Sequence, residues 1–273
     1  MTNRQIFLTA VAVMALAAGC QKLPNDGGKK KESVPSGTVI QSSMLSVKRA
    51  RTMKYTVWLP AGYDEKKTYP FLYLLHGAGD VNNSWIEKGG ADKIANQYLA
   101  DDGVPMVIIM PDALLTFYVN MEEVTNPMLQ GLDQIGHYEE YFFEELMPKV
   151  EEGFKCNGKR AIAGLSMGGY GTLYHALKYP RKFTYAYAMS PATAVTFTAF
   201  IDAQADKKVF PPFTIEVGTE DGTVNNADSE TLATYMKDQG MTCEWISRPG
   251  THDWKFWQEC LPKTLKRVGE SFK

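Results

Sequence analysis

Residues 164–168 read Gly-Leu-Ser-Met-Gly and set Ser166 midway between two glycines, the spacing of a Gly-x-Ser-x-Gly nucleophile elbow. The pattern gains weight from its place, between a strand-like run at 160–165 and a helical stretch from 169 onward. A serine on so tight a turn stands in strained backbone, and side chains at Gly164 or Gly168 would clash. Its hydroxyl is a weak nucleophile until a base takes the proton, so a histidine must meet it in space. The chain has four histidines. His175 lies nine positions after Ser166 in the following helix, too far along the axis to fold back. His76 belongs to a strand end, and His137 precedes Ser166, against the serine, acid, histidine chain order. His252 remains, in the loop Pro249-Gly250-Thr251-His252-Asp253-Trp254.

The base needs a carboxylate to orient it, and Gly218-Thr219-Glu220-Asp221-Gly222 supplies one directly after the strand-like run 213–217. Asp221 is the choice, with Glu220 the immediate competitor. Asp228 falls in the next helix, and Asp253 adjoins His252 too closely to reach round to its Nδ1. Negative charge developing on an attacked carbonyl oxygen calls for two backbone N–H donors. Met167, just after the serine, is expected to give one; Ala78 in His76-Gly77-Ala78-Gly79 is expected to give the other, with Gly77 and Gly79 as alternatives.

These residues must be brought together by the elements around them. Strand-like segments at 52–59, 71–75, 105–110, 160–165, 183–189, 213–217 and 242–247 are interleaved with helical ones at 90–100, 137–152, 169–178, 227–239 and 254–268. Alternation of apolar strands with helices predicts an α/β fold, a mostly parallel sheet covered on both faces, with ligands at the carboxyl ends of the strands. A chain of 273 residues, 44% of them hydrophobic, suits one such domain, placed at 39–273. The net charge of −2 leaves no footprint for nucleic acid.

The first residues read differently. Arg4 precedes an apolar run at 6–18 that rises about 20 Å as a helix, short of the roughly 30 Å needed to span a bilayer core, so 1–19 is read as an export signal. Leu16-Ala17-Ala18-Gly19-Cys20 resembles the lipobox of bacterial lipoproteins, which implies lipidation of Cys20. Residues 20–38, with Lys29-Lys30-Lys31, Pro24, Pro35 and several glycines, read as a tether. The expected location is outside the cytoplasm, on a membrane reached only through the lipid. Of the other cysteines, Cys156, Cys243 and Cys260 cannot all pair; 243 with 260 is the closer couple, and buried small apolar roles are the plainer reading. Their spacing fits no metal site, and neither metal nor cofactor is implied.

With these residues placed, the chain resembles the esterase D-like α/β-hydrolases, which include feruloyl esterases, acetyl-xylan esterases, S-formylglutathione hydrolases and mycolyltransferases. The likeness rests on Leu74-Leu75-His76-Gly77, Trp85-Ile86-Glu87-Lys88-Gly89-Gly90, the stretch Gly164 to Gly171, Gly218-Thr219-Glu220-Asp221 and Gly250-Thr251-His252-Asp253, in the family's order. It implies an α/β-hydrolase fold and cofactor-free ester hydrolysis through an acyl-enzyme. It further implies that Trp257, five residues past the histidine, borders the acyl pocket, although an amphipathic last helix also packs aromatics in a core. Trp85, Trp254, Met167 and Phe117-Tyr118 are candidates for the same cleft. The leading expectation is removal of feruloyl or acetyl groups from plant cell-wall polysaccharide. A generalist short-chain esterase, an acyltransferase and a non-catalytic binding protein on the same scaffold are the alternatives, and export disfavours S-formylglutathione as substrate.

Overall fold

The computed structural model describes residues 34–121, 136–194 and 196–273. The expected signal peptide, Cys20 and most of the tether lie outside the described residues. Eight strands form one sheet: β1 (Thr38–Ser46), β2 (Arg51–Leu59), β3 (Tyr69–Leu75), β4 (Val107–Pro111), β5 (Cys156–Leu165), β6 (Tyr185–Met189), β7 (Phe213–Gly218) and β8 (Cys243–Arg248). Their spatial order is β1-β2-β4-β3-β5-β6-β7-β8. The β1–β2 and β2–β4 pairs are antiparallel, and every later pairing is parallel.

The central strands carry long apolar runs because both faces of the sheet are covered there. β3, β4 and β7 are buried along their whole length, and their side chains divide with the period of two that a pleated strand imposes. Phe71, Tyr73, Leu75, Ile162, Ala186, Phe213, Ile215 and Val217 enter one core. Leu72, Leu74, Ala161, Ala163, Leu165, Tyr187 and Met189 enter the other. The second core is closed by α1 (Ala91–Ala100) and the last helix, Trp254–Ser271. The first is closed by residues 138–153, by Met167–Lys178, by Phe197–Asp202 and by Asn226–Asp238. Taken in chain order these are α2 to α5, and Trp254–Ser271 is α6. Register sets Leu75 beside Gly164, Leu165 beside Met189 and Val217 beside Ser247, so the loops leaving β3, β5, β6, β7 and β8 open at one end of the sheet.

Three features depart from the sequence reading. β1 is a nine-residue strand paired along its whole length with β2; its mixed Ser, Gln and aliphatic composition and half-exposed face hide the strand pattern. The short α4 also carries too few residues to show a helical period. The segment 138–153, read as one helix, runs Tyr138–Glu140 and Met147–Gly153 as α-helix around a π-helical turn, Tyr141–Leu146. That widened turn sets the neighbouring rings of Phe142 and Phe143 each 5.2 Å from His175, one stacked and one edge-on. The three cysteines of the domain are free. Cys243 packs in the first core and Cys260 in the second, so the sheet itself separates the two that sequence separation put closest.

His175 is wholly buried in that aromatic cage, and burial pushes its imidazole down to about 4 against the opposing pull of the Glu139 carboxylate. Its folded value lies below its unfolded one. Between about 6.5 and about 4 the unfolded chain therefore holds a proton the folded chain refuses, and stability falls as pH falls through that window. At 1.36 kcal/mol per unit the loss is roughly 3 kcal/mol. His175→Phe should flatten the acid side of the stability profile by about that amount, measured by urea unfolding at several pH values across the window; an unchanged acid limb would refute the assignment.

Candidate active site

Ser166 is the single residue between β5 and α3, with φ 53° and ψ −115°. That conformation is costly for a residue with a Cβ, and the surroundings enforce it. The Ser166 N–H bonds to the Met189 carbonyl at 2.9 Å, and the Ser166 carbonyl accepts from Tyr170 at 2.9 Å and Ala192 at 3.3 Å. The flanking glycines allow β5, α3 and the end of β3 to meet without side chains between them. A methyl at Gly168 would lie 2.5 Å from the Leu75 carbonyl oxygen and 2.7 Å from that of His76.

The His252 Nε2 lies 3.0 Å from Ser166 Oγ, and its Nδ1 lies 2.8 Å from Asp221 Oδ2. The Asp221 side chain is buried at the tip of the loop leaving β7. Its other oxygen accepts from the Thr223 and Val224 N–H groups at 2.9 and 3.0 Å. Burial alone would raise this carboxyl, but the Val224 N–H, the His252 imidazole and the Thr223 N–H outweigh it and hold it below the ordinary aspartate range. Nδ1 thus faces a carboxylate, and Nε2 is left to accept from the serine hydroxyl. That is the arrangement in which a serine can attack an acyl carbon while its proton moves to the ring.

The competing carboxylates have other partners. Glu220 is exposed; its carboxylate takes the Gly250 N–H and the Thr219 hydroxyl, pinning the histidine loop to the loop after β7. Asp253 caps α6, accepting from Phe256 N–H at 2.9 Å and from Thr251 Oγ1 at 2.6 Å. Asp228 stands in the first turn of α5. Of the other histidines, His137 is exposed and His175 is caged.

His76 is buried, with Nδ1 2.8 Å from the Gly77 carbonyl and Nε2 3.0 Å from the Ala113 N–H. A carbonyl can only accept and an amide only donate, so both bonds require a neutral ring protonated on Nδ1. This ring holds the loop that carries Ala78. Gly77 leans on the elbow, a methyl there falling 3.5 Å from Ser166 Cβ, and Ala78 follows in the open. Met167 opens α3, so its N–H is among those a helix leaves without an internal acceptor.

The expected cleft aromatics are placed differently. Trp85 has no exposed surface; its indole N–H bonds to the Leu75 carbonyl at 3.0 Å and its ring meets Trp254 edge-on at 5.2 Å. It packs behind the end of β3 and has no surface to offer a ligand. Tyr118 and the Met167 side chain are likewise buried, and the Tyr118 hydroxyl bonds to the His76 carbonyl at 3.0 Å. Phe117 is half-buried against Tyr170. Trp257 is nearly buried, its ring edge-on to His252 at 5.0 Å, with its N–H 3.4 Å from Ser190 Oγ. Half-buried Trp254 bridges Trp257 and Trp85, so a stack of three indoles backs the histidine.

A further support has no sequence signature. Arg248, at the end of β8, bonds to Glu216 Oε1 at 2.5 Å, Glu259 at 2.8 Å and the Phe256 carbonyl at 3.1 Å, with its guanidinium 3.9 Å over the Phe256 ring. It clamps both ends of the loop bearing His252. The Glu216 side chain is fully buried on β7 and is also bonded by Lys263 and Tyr187. Burial pushes this carboxyl up, and Lys263, Tyr187 and Arg248 together bring it below its ordinary value. Among the described residues no group of three or more His, Cys, Asp or Glu side chains is placed to hold a metal ion.

Serine, acid and histidine arrive in that chain order, each from the carboxyl end of a strand of one mostly parallel sheet, and this defines the α/β-hydrolase class. Within it the chain belongs to the Putative esterase family, whose profile matches residues 46–268. An endo-1,4-beta-xylanase/feruloyl esterase of Xylanibacter ruminicola is 28% identical over 253 residues, covering 87% of this chain and 32% of that protein. An esterase of Mycobacterium tuberculosis is 32% identical over 136 residues, 48% of this chain and 27% of that one. The chain therefore spans about a third or less of these relatives. A ferulic acid esterase from Anaeromyces mucronatus, solved with ferulic acid, shares the fold at a TM-score of 0.74, with 23% identity over 90% of this chain and 95% of its own.

The clamp yields a test on any ester the protein turns over. Arg248→Lys keeps a charge toward Glu216 but loses the fork to Phe256 and Glu259. Turnover should fall about tenfold, or ~1.4 kcal/mol in activation free energy, with KM little changed; a change in KM alone would place Arg248 elsewhere in the binding process.

Proposed function

We propose that the protein is a serine carboxylic-ester hydrolase in which Ser166 is the nucleophile, His252 the general base and Asp221 the residue that orients it. The observation that carries this reading is the unbroken hydrogen-bonded line from Ser166 Oγ through both ring nitrogens of His252 to a buried carboxylate. As Oγ attacks the acyl carbon, His252 takes its proton and Asp221 stabilises the imidazolium. The Ala78 and Met167 N–H groups receive the oxyanion. His252 then returns the proton to the departing alcohol, leaving the acyl group on Ser166, and water activated by the same ring releases it.

For substrate, the reading is a feruloyl or acetyl group carried on plant cell-wall polysaccharide. Its support is the naming of the xylanase-linked relative and the Anaeromyces structure as feruloyl or ferulic acid esterases. We further propose export, with a lipid on Cys20 anchoring the domain to a membrane. The support is the residue pattern around the cysteine alone. Intact mass of the chain from its native host should show a diacyl-modified or triacyl-modified Cys20 as N-terminus; another N-terminus would remove the anchor.

Ser166→Ala should abolish hydrolysis of p-nitrophenyl acetate, methyl ferulate and acetylated xylan by several orders of magnitude while leaving thermal unfolding unchanged. Asp221→Asn should cost on the order of 10⁴ in kcat, whereas Glu220→Gln should stay within about tenfold. Retained turnover in Ser166→Ala, or a larger loss in Glu220→Gln than in Asp221→Asn, would overturn the assignment. Preference among the three substrates identifies the acyl group.

A further inference from the structure

The two edges of the sheet are finished differently. An edge strand offers a row of unpaired N–H and C=O groups to a second chain, and proteins blunt such edges with short strands, charges, prolines or bulges. β8, at one edge, is six residues long and carries Glu244 and Arg248, with Glu244 bonded at 2.6 Å by Arg267 of α6. β1, at the other, has none of these devices. Its nine residues, Thr-Val-Ile-Gln-Ser-Ser-Met-Leu-Ser, hold no charge and no proline, and its register with β2 runs from Thr38 to Ser46 without a bulge. Among the described residues β2 is its only strand partner.

The same edge gathers exposed apolar surface. Val39 is 37% exposed and Leu45 74%, with Val34 and Val47 exposed just beyond the ends of the strand. Among the described residues the one other large hydrophobic so exposed is Val81. Apolar side chains scattered singly over a surface need no explanation, but their concentration along one open strand marks an interaction surface.

The order of residues along β1 identifies the partner. When a strand pairs antiparallel with a copy of itself about a two-fold axis, residue i meets residue j and j meets i, so the pattern must read alike from both ends. About Ser42, β1 does so. Val39 of one copy meets Leu45 of the other, Ile40 meets Met44, Gln41 meets Ser43 and Thr38 meets Ser46. Every apolar residue thus gains an apolar counterpart on its own face. Ile40 and Met44 already pack against the first core, and their pairing carries that core across the axis. Val39 and Leu45 lie on the other face. Shifting the register by two residues destroys the match, setting Leu45 against Gln41 and Met44 against Ser42, or Val39 against Ser43 and Ile40 against Ser42. An unrelated strand docking here would need no such palindrome.

We propose that β1 is the surface on which two copies of this chain join, antiparallel about an axis through Ser42, so that each sheet continues into the other. The axis stands perpendicular to the sheet and reverses strand direction. The two sets of loops that carry Ser166 and His252 therefore open at opposite ends of the joined sheet, and neither obstructs the other.

Cross-linking of cysteine variants of the full chain reads the register, with the parent chain as blank. Ser42→Cys should couple to itself through a short bis-maleimide. Val39→Cys and Leu45→Cys should couple when the two variants are produced together and not when either is alone, because like positions then stand about 20 Å apart along the strands. Sedimentation equilibrium in density-matched detergent, at about 100 µM, where a pair with a micromolar Kd is assembled, should give twice the mass of one chain. Val39→Lys combined with Leu45→Lys sets lysine against lysine across the axis and should return the mass to that of one chain, with thermal unfolding unchanged. A single mass for the wild-type chain, coupling of Val39→Cys or Leu45→Cys alone, or a doubled mass that survives the two lysines would overturn the proposal. None of these readouts uses a substrate, so their failure leaves the esterase reading untouched.

Discussion

The positive φ of Ser166 is the constraint on which the rest of the site depends. A non-glycine residue is held there only where its neighbours over-determine it. Here the buried central strands of a mostly parallel sheet supply the fixed frame, and bare glycine backbone at 164 and 168 lets strand, helix and the loop after β3 converge on one point. Moving that point would require β3 and β5 to separate, and their side chains are shared between two cores on opposite faces. The Ser166 backbone is consequently held as firmly as the sheet.

The base is held by different means. His252 rides on a loop, and its precision comes from electrostatics and ring packing. Arg248 binds the loop's two ends together over the buried Glu216, Glu220 ties the loop to that of Asp221, and Trp257 backs the ring. A buried carboxylate such as Glu216 is costly unless its charge is met by partners. Arg248, Lys263 and Tyr187 meet it, and the same bonds that compensate the charge fix the loop.

Much of this was legible in the sequence. The elbow, the strand-helix alternation and the serine, acid, histidine order are local patterns, and each states its own geometry over a few residues. The histidine was reached by eliminating three others, and the structure places it beside Ser166. What stayed hidden depends on contacts between distant segments. Glu216 reads as an ordinary polar position in a strand until Arg248, Lys263 and Tyr187 are seen to surround it. His76, set aside as a strand-end residue, shapes the loop of Ala78 through bonds to Gly77 and Ala113. Trp85 illustrates the converse error: an aromatic near a site suggests a pocket wall, yet its indole N–H is spent on the Leu75 carbonyl in the core. The π-helical turn at Tyr141–Leu146 had no local signal because it leaves the apolar spacing of a helix almost intact.

Ser166 and His252 are also unequal in their place in the sheet. β5 is flanked on both sides, whereas β8 lies at the edge and, among the described residues, pairs with β7 alone. Proteins open in cooperative segments, and peripheral ones open first. Transient detachment of β8 with its loop would withdraw the base while the elbow stayed folded. Such a species would keep most of its helix and its cores, yet be inert. In the proposed mechanism the availability of the base is therefore set at the rim of the sheet, and that of the nucleophile at its centre.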